Sequence, residues 1–223
     1  MDIKLIIFDL DGTLLNTLDD LTESTNFALS NFNYPLKSTE EIRNFVGNGV
    51  AKLIERAIPN GINNPNYNNC LEIFKKHYSL NKYNKTTPYI GILELLKELK
   101  KLNYKTAIVS NKFDLAVKEL SERYFQNLID ISIGENEAMG IKKKPSADTI
   151  NKVLNDLNIS HENSIYVGDS DVDIMTAKNS NMPCISVTWG FREKEFLIAH
   201  NATTIINEPK EILNIIKNLK RDS

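Results

Sequence analysis

The sequence feature that most constrains the fold is an apolar run that ends in a pair of aspartates. Leu5-Ile6-Ile7-Phe8 is followed directly by Asp9-Leu10-Asp11-Gly12-Thr13. A continuous apolar run is typical of a strand in a parallel sheet that is covered on both faces. Two carboxylates at the end of such a strand place negative charge where burial is unfavourable. We therefore expect a cation, or a reaction that transfers an anion, at this strand end.

Further short apolar runs recur along the chain, and most are separated by helical patterns. The runs lie at residues 106–109, 129–133, 164–167, 184–187 and 203–206. Between them, as at residues 92–99 and 212–219, apolar side chains repeat with the spacing of one helix face. Strands that alternate with helices predict an α/β fold with a doubly wound parallel sheet. Ligands of such sheets bind at the carboxyl ends of the strands.

The alternation is interrupted once, by a long segment after the first strand. Residues 18–32, 40–57 and 67–80 have helical patterns, and no convincing core strand lies among them. A simple crossover between parallel strands does not need this much chain. We predict a core of residues 1–14 and 85–223, with residues 15–84 inserted as a small helical cap over the strand ends. Residues 85–89 are the expected hinge back to the core.

Composition narrows the class of protein and of partner. The 223 residues are 41% hydrophobic and 25% charged, which is typical of globular proteins, and the net charge of −2 gives no support to a nucleic acid or a membrane surface as partner. The two cysteines lack metal-type spacing, and no apolar run is long enough to span a bilayer. A signal peptide is not evident. We expect a cytoplasmic protein, either a monomer or a homodimer.

Three more polar segments stand near predicted strand ends. They are Ser110-Asn111-Lys112, Lys144-Pro145 and Gly168-Asp169-Ser170-Asp171-Val172-Asp173. Carboxylates from two strands suit Mg²⁺, and a carboxylate can also act as a nucleophile. The Ser110 hydroxyl, the Asn111 amide and the Lys144 ammonium would supply donors to a phosphoryl group. Transfer of a phosphoryl group also needs a second carboxylate that protonates the leaving oxygen and later takes a proton from water. Asp11 is the nearest candidate for this role.

Taken in order, these four segments resemble the motifs of the haloacid dehalogenase-like hydrolase superfamily. The resemblance spans nearly the whole chain, and it implies a Rossmann-like core with a helical cap. It implies that Asp9 is the nucleophile and Asp11 the general acid and base. It further implies Mg²⁺ held by Asp9, by the backbone carbonyl of Asp11 and by Asp169. Asp173 would support the waters of the metal or Lys144, which would bridge Asp9 and the phosphate. Lys143 is the alternative if the register differs by one residue.

The chain is similar in more detail to a phosphoglycolate phosphatase-like subgroup. The residues concerned are Asp169 to Ile174, Ala177-Lys178-Asn179, Thr188-Trp189-Gly190-Phe191-Arg192 and Phe45-Val46-Gly47-Asn48-Gly49. The resemblance implies a phosphatase that acts on a small phosphorylated metabolite, with 2-phosphoglycolate as the first candidate. Phosphomutase and pyrophosphatase activities remain alternatives on the same core, and a non-catalytic binding or regulatory protein is the alternative of another class.

Several residues are candidates for binding substrate. Thr13, Ser110 and Asn111 lie in the core motifs. Gly47 and Asn48 belong to a cap segment that is either a loop reaching the substrate or a plain break between helices. Arg43 is either a ligand for a substrate carboxylate or a surface arginine.

Overall fold

The computed structural model describes residues 2–136 and 140–221, and the chain divides into two compact units. One unit comprises Met1–Leu15 and Pro88–Ser223, and the other comprises Asn16–Thr87. A two-stranded sheet of β2 (Leu15–Asn16) and β3 (Thr87–Pro88) contains the two points where the chain passes from one unit to the other. In the described part of the chain, no helix combines the length and the apolar composition that crossing a bilayer requires.

The first unit is built on a parallel sheet with the strand order β5-β4-β1-β6-β7-β8. The strands are β1 (Leu5–Phe8), β4 (Lys105–Phe113), β5 (Ile131–Glu135), β6 (Ser164–Gly168), β7 (Cys184–Val187) and β8 (Ile205–Ile206). All neighbouring strands pair in parallel. The chain adds strands outward on one side of β1 and then returns to its other side. The crevice for a ligand therefore lies at the end of β1.

Two apolar layers cover this sheet, and the side chains of β1 alternate between them. Ile6 and Phe8 pack in one layer, while Leu5 and Ile7 pack in the other. The first layer includes side chains of α5 (Ile92–Lys101), α6 (Asp114–Phe125) and α10 (Glu211–Arg221). The second includes side chains of α7 (Asp148–Leu157) and α8 (Asp171–Asn179). A further helix, α9, spans Lys194–Ala199. Helices on both faces confirm the predicted doubly wound α/β fold.

The second unit contains four helices. They are α1 (Leu18–Ser30), α2 (Thr39–Phe45), α3 (Val50–Ala57) and α4 (Tyr67–Asn81). The helical pattern at residues 40–57 is divided between α2 and α3, and Gly47 and Gly49 between them have φ angles of 119° and 85°. These backbone conformations are accessible to glycine and end the helix. Within this unit, the buried Asp20 carboxylate accepts hydrogen bonds from the backbone N–H groups of Lys85 and Thr86, which joins its two ends.

Candidate active site

The site begins where three adjacent strands end. Phe8, the last residue of β1, pairs with Ile108 on one side and with Val167 on the other. Asp9 therefore emerges between the polar segments that accompany β4 and β6. Ser110 and Asn111 lie inside β4 rather than after it, since the strand continues to Phe113 through a shift in register. This irregularity occurs where β4 changes from apolar to polar side chains.

Lys144 connects two of the aspartates. Its Nζ lies 2.9 Å from Asp9 Oδ1 and 2.7 Å from Asp173 Oδ1. It also donates a hydrogen bond of 3.0 Å to the hydroxyl of Tyr166, which in turn donates to Asp173. Asn111 Nδ2 donates to the backbone carbonyl of Lys144 and holds this loop against β4. The structure thus places Lys144, the lysine that the first prediction named, beside Asp9.

The charges of this cluster alter one another's pKa values. Burial raises the pKa of Asp9 well above its usual range, Lys144 opposes that rise, and the charges of Asp173 and Asp169 add to it. Burial by itself would lower the pKa of Lys144, but Asp173 and Asp9 outweigh burial and raise it. Lys144 therefore stays cationic beside Asp9 and is placed to attract an anion.

Asp173 has both carboxylate oxygens engaged within the protein. Oδ1 faces Lys144 and Tyr166, and Oδ2 accepts hydrogen bonds from the backbone N–H and the hydroxyl of Ser170. Ser170 and Asp173 form the capping box that begins α8. These contacts place Asp173 as an anchor for Lys144.

Asp169 is oriented by two segments, the turn after β1 that contains Thr13 and the loop after β7 that contains Phe191. Thr13 Oγ1 donates to Asp169 Oδ1 at 3.0 Å, and the backbone N–H of Phe191 donates to Oδ2 at 2.7 Å. The indole N–H of Trp189 donates to the carbonyl of Thr13. A Cβ atom at Gly190 would overlap Asp169, so only glycine lets this loop approach. Burial raises the pKa of Asp169 to about 7, Asp173 adds to the rise, and the donors from Phe191 and Thr13 oppose it.

The same carboxylates fit a divalent cation. Asp9, Asp169 and Asp173 each offer an oxygen, and these oxygens lie within 4.8 Å of one another. Carboxylate oxygens are preferred ligands of Mg²⁺. A cation among them would favour their ionised forms and so reverse the effect of burial on their pKa values. The group contains three of the four residues predicted to hold magnesium, and the part of Asp11 stays a prediction.

Asp11 lies apart from that cluster and pairs with a different lysine. Lys112 Nζ is 2.9 Å from Asp11 Oδ2, and the side chain of Lys112 is buried. The backbone N–H of Lys112 donates to Ser110 Oγ at 3.3 Å, which holds the Ser110 hydroxyl against the backbone of β4. Each aspartate of the pair that follows β1 thus has a lysine beside it, Lys144 for Asp9 and Lys112 for Asp11.

Comparison with known proteins agrees with this geometry. A model of the haloacid dehalogenase-like hydrolases matches residues 6–187, more than half of the chain. A phosphoglycolate phosphatase of Vibrio parahaemolyticus is 30% identical over 221 residues, which cover 96% of each protein. A solved structure from Lactobacillus delbrueckii, named as a candidate phosphoglycolate phosphatase, has a TM-score of 0.91 and 35% identity over 97% of this chain and 99% of that one. A similar structure from Haemophilus somnus has a TM-score of 0.89 and 26% identity, covering 96% and 98% of the two chains.

The chain belongs to the haloacid dehalogenase-like hydrolases. Within that family it is a phosphoric monoester hydrolase of the phosphoglycolate phosphatase-like type. The matched residues 6–187 include the four segments that hold Asp9, Ser110, Lys144 and Asp169 in the structure.

Three contacts of this hydrolase were not predicted. Lys112 is the last residue of the polar segment Ser110-Asn111-Lys112, and no role is predicted for it. A lysine at this strand end, beside the strand that delivers two aspartates, is nevertheless a signal for an ion pair. Tyr166 is a tyrosine in an otherwise apolar strand, which indicates a buried hydroxyl that needs partners. The donation from Trp189 to Thr13 joins residues 176 positions apart, and no local pattern indicates it.

The remaining predicted residues belong to the second unit of the hydrolase. Arg43 Nε lies 3.5 Å from Glu40 Oε2, one turn earlier on α2. Asn48 Oδ1 accepts a hydrogen bond of 2.9 Å from Arg56. Gly47 has a positive φ angle in the segment between α2 and α3. Their roles in binding substrate stay predictions.

Proposed function

We propose that this hydrolase cleaves a small phosphomonoester through a phosphorylated Asp9, and that 2-phosphoglycolate is its substrate. The observation that carries the proposal is the pairing of Asp9 with Lys144 beside Asp169, at the end of the central strand. A carboxylate held next to a fixed cation is suited to attack a phosphoryl group whose oxygens the cation also attracts.

In the first step, a carboxylate oxygen of Asp9 attacks phosphorus and the ester oxygen departs. Asp11 gives its proton to that oxygen, so the alcohol leaves neutral. Lys144 offsets the negative charge on the transferred group, and the Ser110 hydroxyl and the Asn111 amide are the proposed further donors. Thr13 contributes through its hydrogen bond to Asp169.

In the second step, water cleaves the acyl phosphate. Asp11, now ionised, takes a proton from the water as its oxygen attacks phosphorus. The bond from phosphorus to Asp9 breaks, which releases inorganic phosphate and restores the Asp9 carboxylate and the protonated Asp11. Lys112 donates to Asp11 Oδ2 and holds the carboxyl group in place, so Oδ1 is the proposed oxygen that gives and takes the proton.

Asp9, Asp169 and the backbone carbonyl of Asp11 are the proposed ligands of Mg²⁺. When bound, the ion would neutralise charge on the transferred phosphoryl group. Asp173 acts through Lys144 and Tyr166, which its Oδ1 contacts. Such outer contacts orient the groups that bind the metal and the substrate.

The choice of 2-phosphoglycolate rests on the relatives, whose names include phosphoglycolate phosphatase in Vibrio and Pseudomonas species. The test is release of inorganic phosphate from a panel with Mg²⁺ and with chelator, ranked by kcat/KM. The panel contains 2-phosphoglycolate, sugar phosphates and pyrophosphate. We expect 2-phosphoglycolate to rank first, and no turnover in chelator. Phosphate retained on an isomeric product would indicate a mutase, and a preference for pyrophosphate would indicate a pyrophosphatase.

The nucleophile is tested by Asp9→Asn, with Asp156→Asn on the exposed face of α7 as the matched control. We expect Asp9→Asn to lower kcat by at least about a thousandfold, since it removes the attacking group. The control should retain full activity. Substantial turnover by Asp9→Asn, with an unchanged circular dichroism spectrum, would refute the assignment.

A further inference from the structure

The Lys112 side chain is as deeply buried as the groups that handle the phosphate. The exposed fraction of this side chain is 1%, against 2% for Lys144 and 11% for Asp9. A buried ammonium group is unfavourable unless anionic partners surround it. One such partner is Asp11 Oδ2, at 2.9 Å.

The position of Lys112 follows from the proton transfer by Asp11. A general acid must lie within about 3.2 Å of the oxygen that it protonates, which here is the ester oxygen of the substrate. Lys112 Nζ contacts Asp11 Oδ2, so it lies at most roughly 8 Å from the ester oxygen when that oxygen is within reach of the Asp11 carboxyl group. Lys112 is therefore a cation on the leaving-group side of the site, whereas Lys144 is a cation on the nucleophile side.

We propose that Lys112 binds a carboxylate of the leaving group, and that it gives this enzyme a preference for phosphomonoesters with a carboxylate next to the ester carbon. In 2-phosphoglycolate the carboxylate oxygens lie about 3–3.5 Å from the ester oxygen by ordinary bond lengths. An ammonium group has three N–H donors, so contact with Asp11 and contact with a substrate carboxylate are compatible. The inference rests on the proposed function, and it names the group that distinguishes the substrate.

The test compares two esters of equal length. The first is 2-phosphoglycolate, and the second is 2-hydroxyethyl phosphate, in which a neutral hydroxymethyl group replaces the carboxylate. The quantity measured is the ratio of their kcat/KM values, the carboxylate preference. Because Lys112 also contacts Asp11, its loss will change both rates, and only the ratio reports recognition of the carboxylate.

We expect the wild-type enzyme to prefer 2-phosphoglycolate at least tenfold. Lys112→Met should lower the preference by roughly 10- to 100-fold, the range for a hydrogen bond to a charged group. Lys112→Arg should retain most of the preference because it keeps the charge. Lys97→Met, which removes an exposed lysine of α5, is the matched control and should change nothing.

Three results would overturn the inference. The first is an unchanged preference in Lys112→Met, which would leave Lys112 only the role of holding Asp11. The second is loss of the preference in Arg43→Met but not in Lys112→Met, which would place the carboxylate at Arg43. The third is a wild-type ratio of the two kcat/KM values near one, which would refute the inference even if the Lys112 variants fail to fold. A wild-type enzyme that cleaves neither ester would instead refute the proposed function, and the inference with it.

Discussion

The hydroxyl of Tyr166 is the contact whose removal tests the buried charge cluster most directly. It accepts a hydrogen bond of 3.0 Å from Lys144 and donates one of 3.1 Å to Asp173. Tyr166→Phe deletes this single oxygen and keeps the ring in the sheet. A hydrogen bond to a charged group contributes about 1.5–3 kcal/mol. Lys144 and Asp173 also contact each other at 2.7 Å and keep that contact. We therefore expect a loss of about 2–3 kcal/mol of folding free energy, less than the roughly 3–6 kcal/mol of two independent bonds.

Urea denaturation followed by circular dichroism measures this loss, and thermal melting should show a decrease in Tm of about 5–10 °C for a chain of this length. Lys144 also contacts Asp9, so kcat should fall roughly 3- to 10-fold as Lys144 becomes less well fixed. Tyr67→Phe is the matched control, because its hydroxyl donates to a neutral backbone carbonyl, that of Ala51. The control should lose about 1 kcal/mol and no activity. A Tyr166→Phe variant with wild-type stability and kcat would refute the reasoning.

Three further expectations concern Asp169. Gly190→Ala places a Cβ against this carboxylate and should destabilise the protein by about 1–3 kcal/mol in urea titrations, so a variant of wild-type stability and activity would contradict the packing described. Thr13→Val removes a donor to Asp169 and should weaken Mg²⁺ binding roughly tenfold by calorimetry, whereas unchanged affinity would exclude this role. The pKa of Asp169 is raised to about 7, so in chelator the folded chain keeps a proton on this carboxyl group that the unfolded chain loses at lower pH. Stability should therefore fall as the pH rises from 4 to 8. Mg²⁺ should stabilise most above pH 7, and Asp169→Asn should flatten the pH dependence.

Local sequence patterns were sufficient to predict most of the strands and helices of the core. The apolar run at β1 and the alternation of strands with helices predicted the parallel sheet, because burial on two faces requires those side chains. The helical pattern at residues 40–57 forms two helices because two glycines with positive φ interrupt an otherwise helical apolar pattern. Periodicity reports which face is apolar, and it does not report where the backbone turns.

The aspartates after β1 show most clearly which features the sequence determines and which features the tertiary structure decides. Their position at a strand end is local, and the sequence by itself determined that a buried strand would deliver two carboxylates to the edge of a sheet. The partner of each carboxylate was decided by tertiary structure. Asp9 meets Lys144, and Asp11 meets Lys112, which is 101 positions away. Such pairings depend on strand order and on side-chain direction, and both are set only when the whole sheet has assembled.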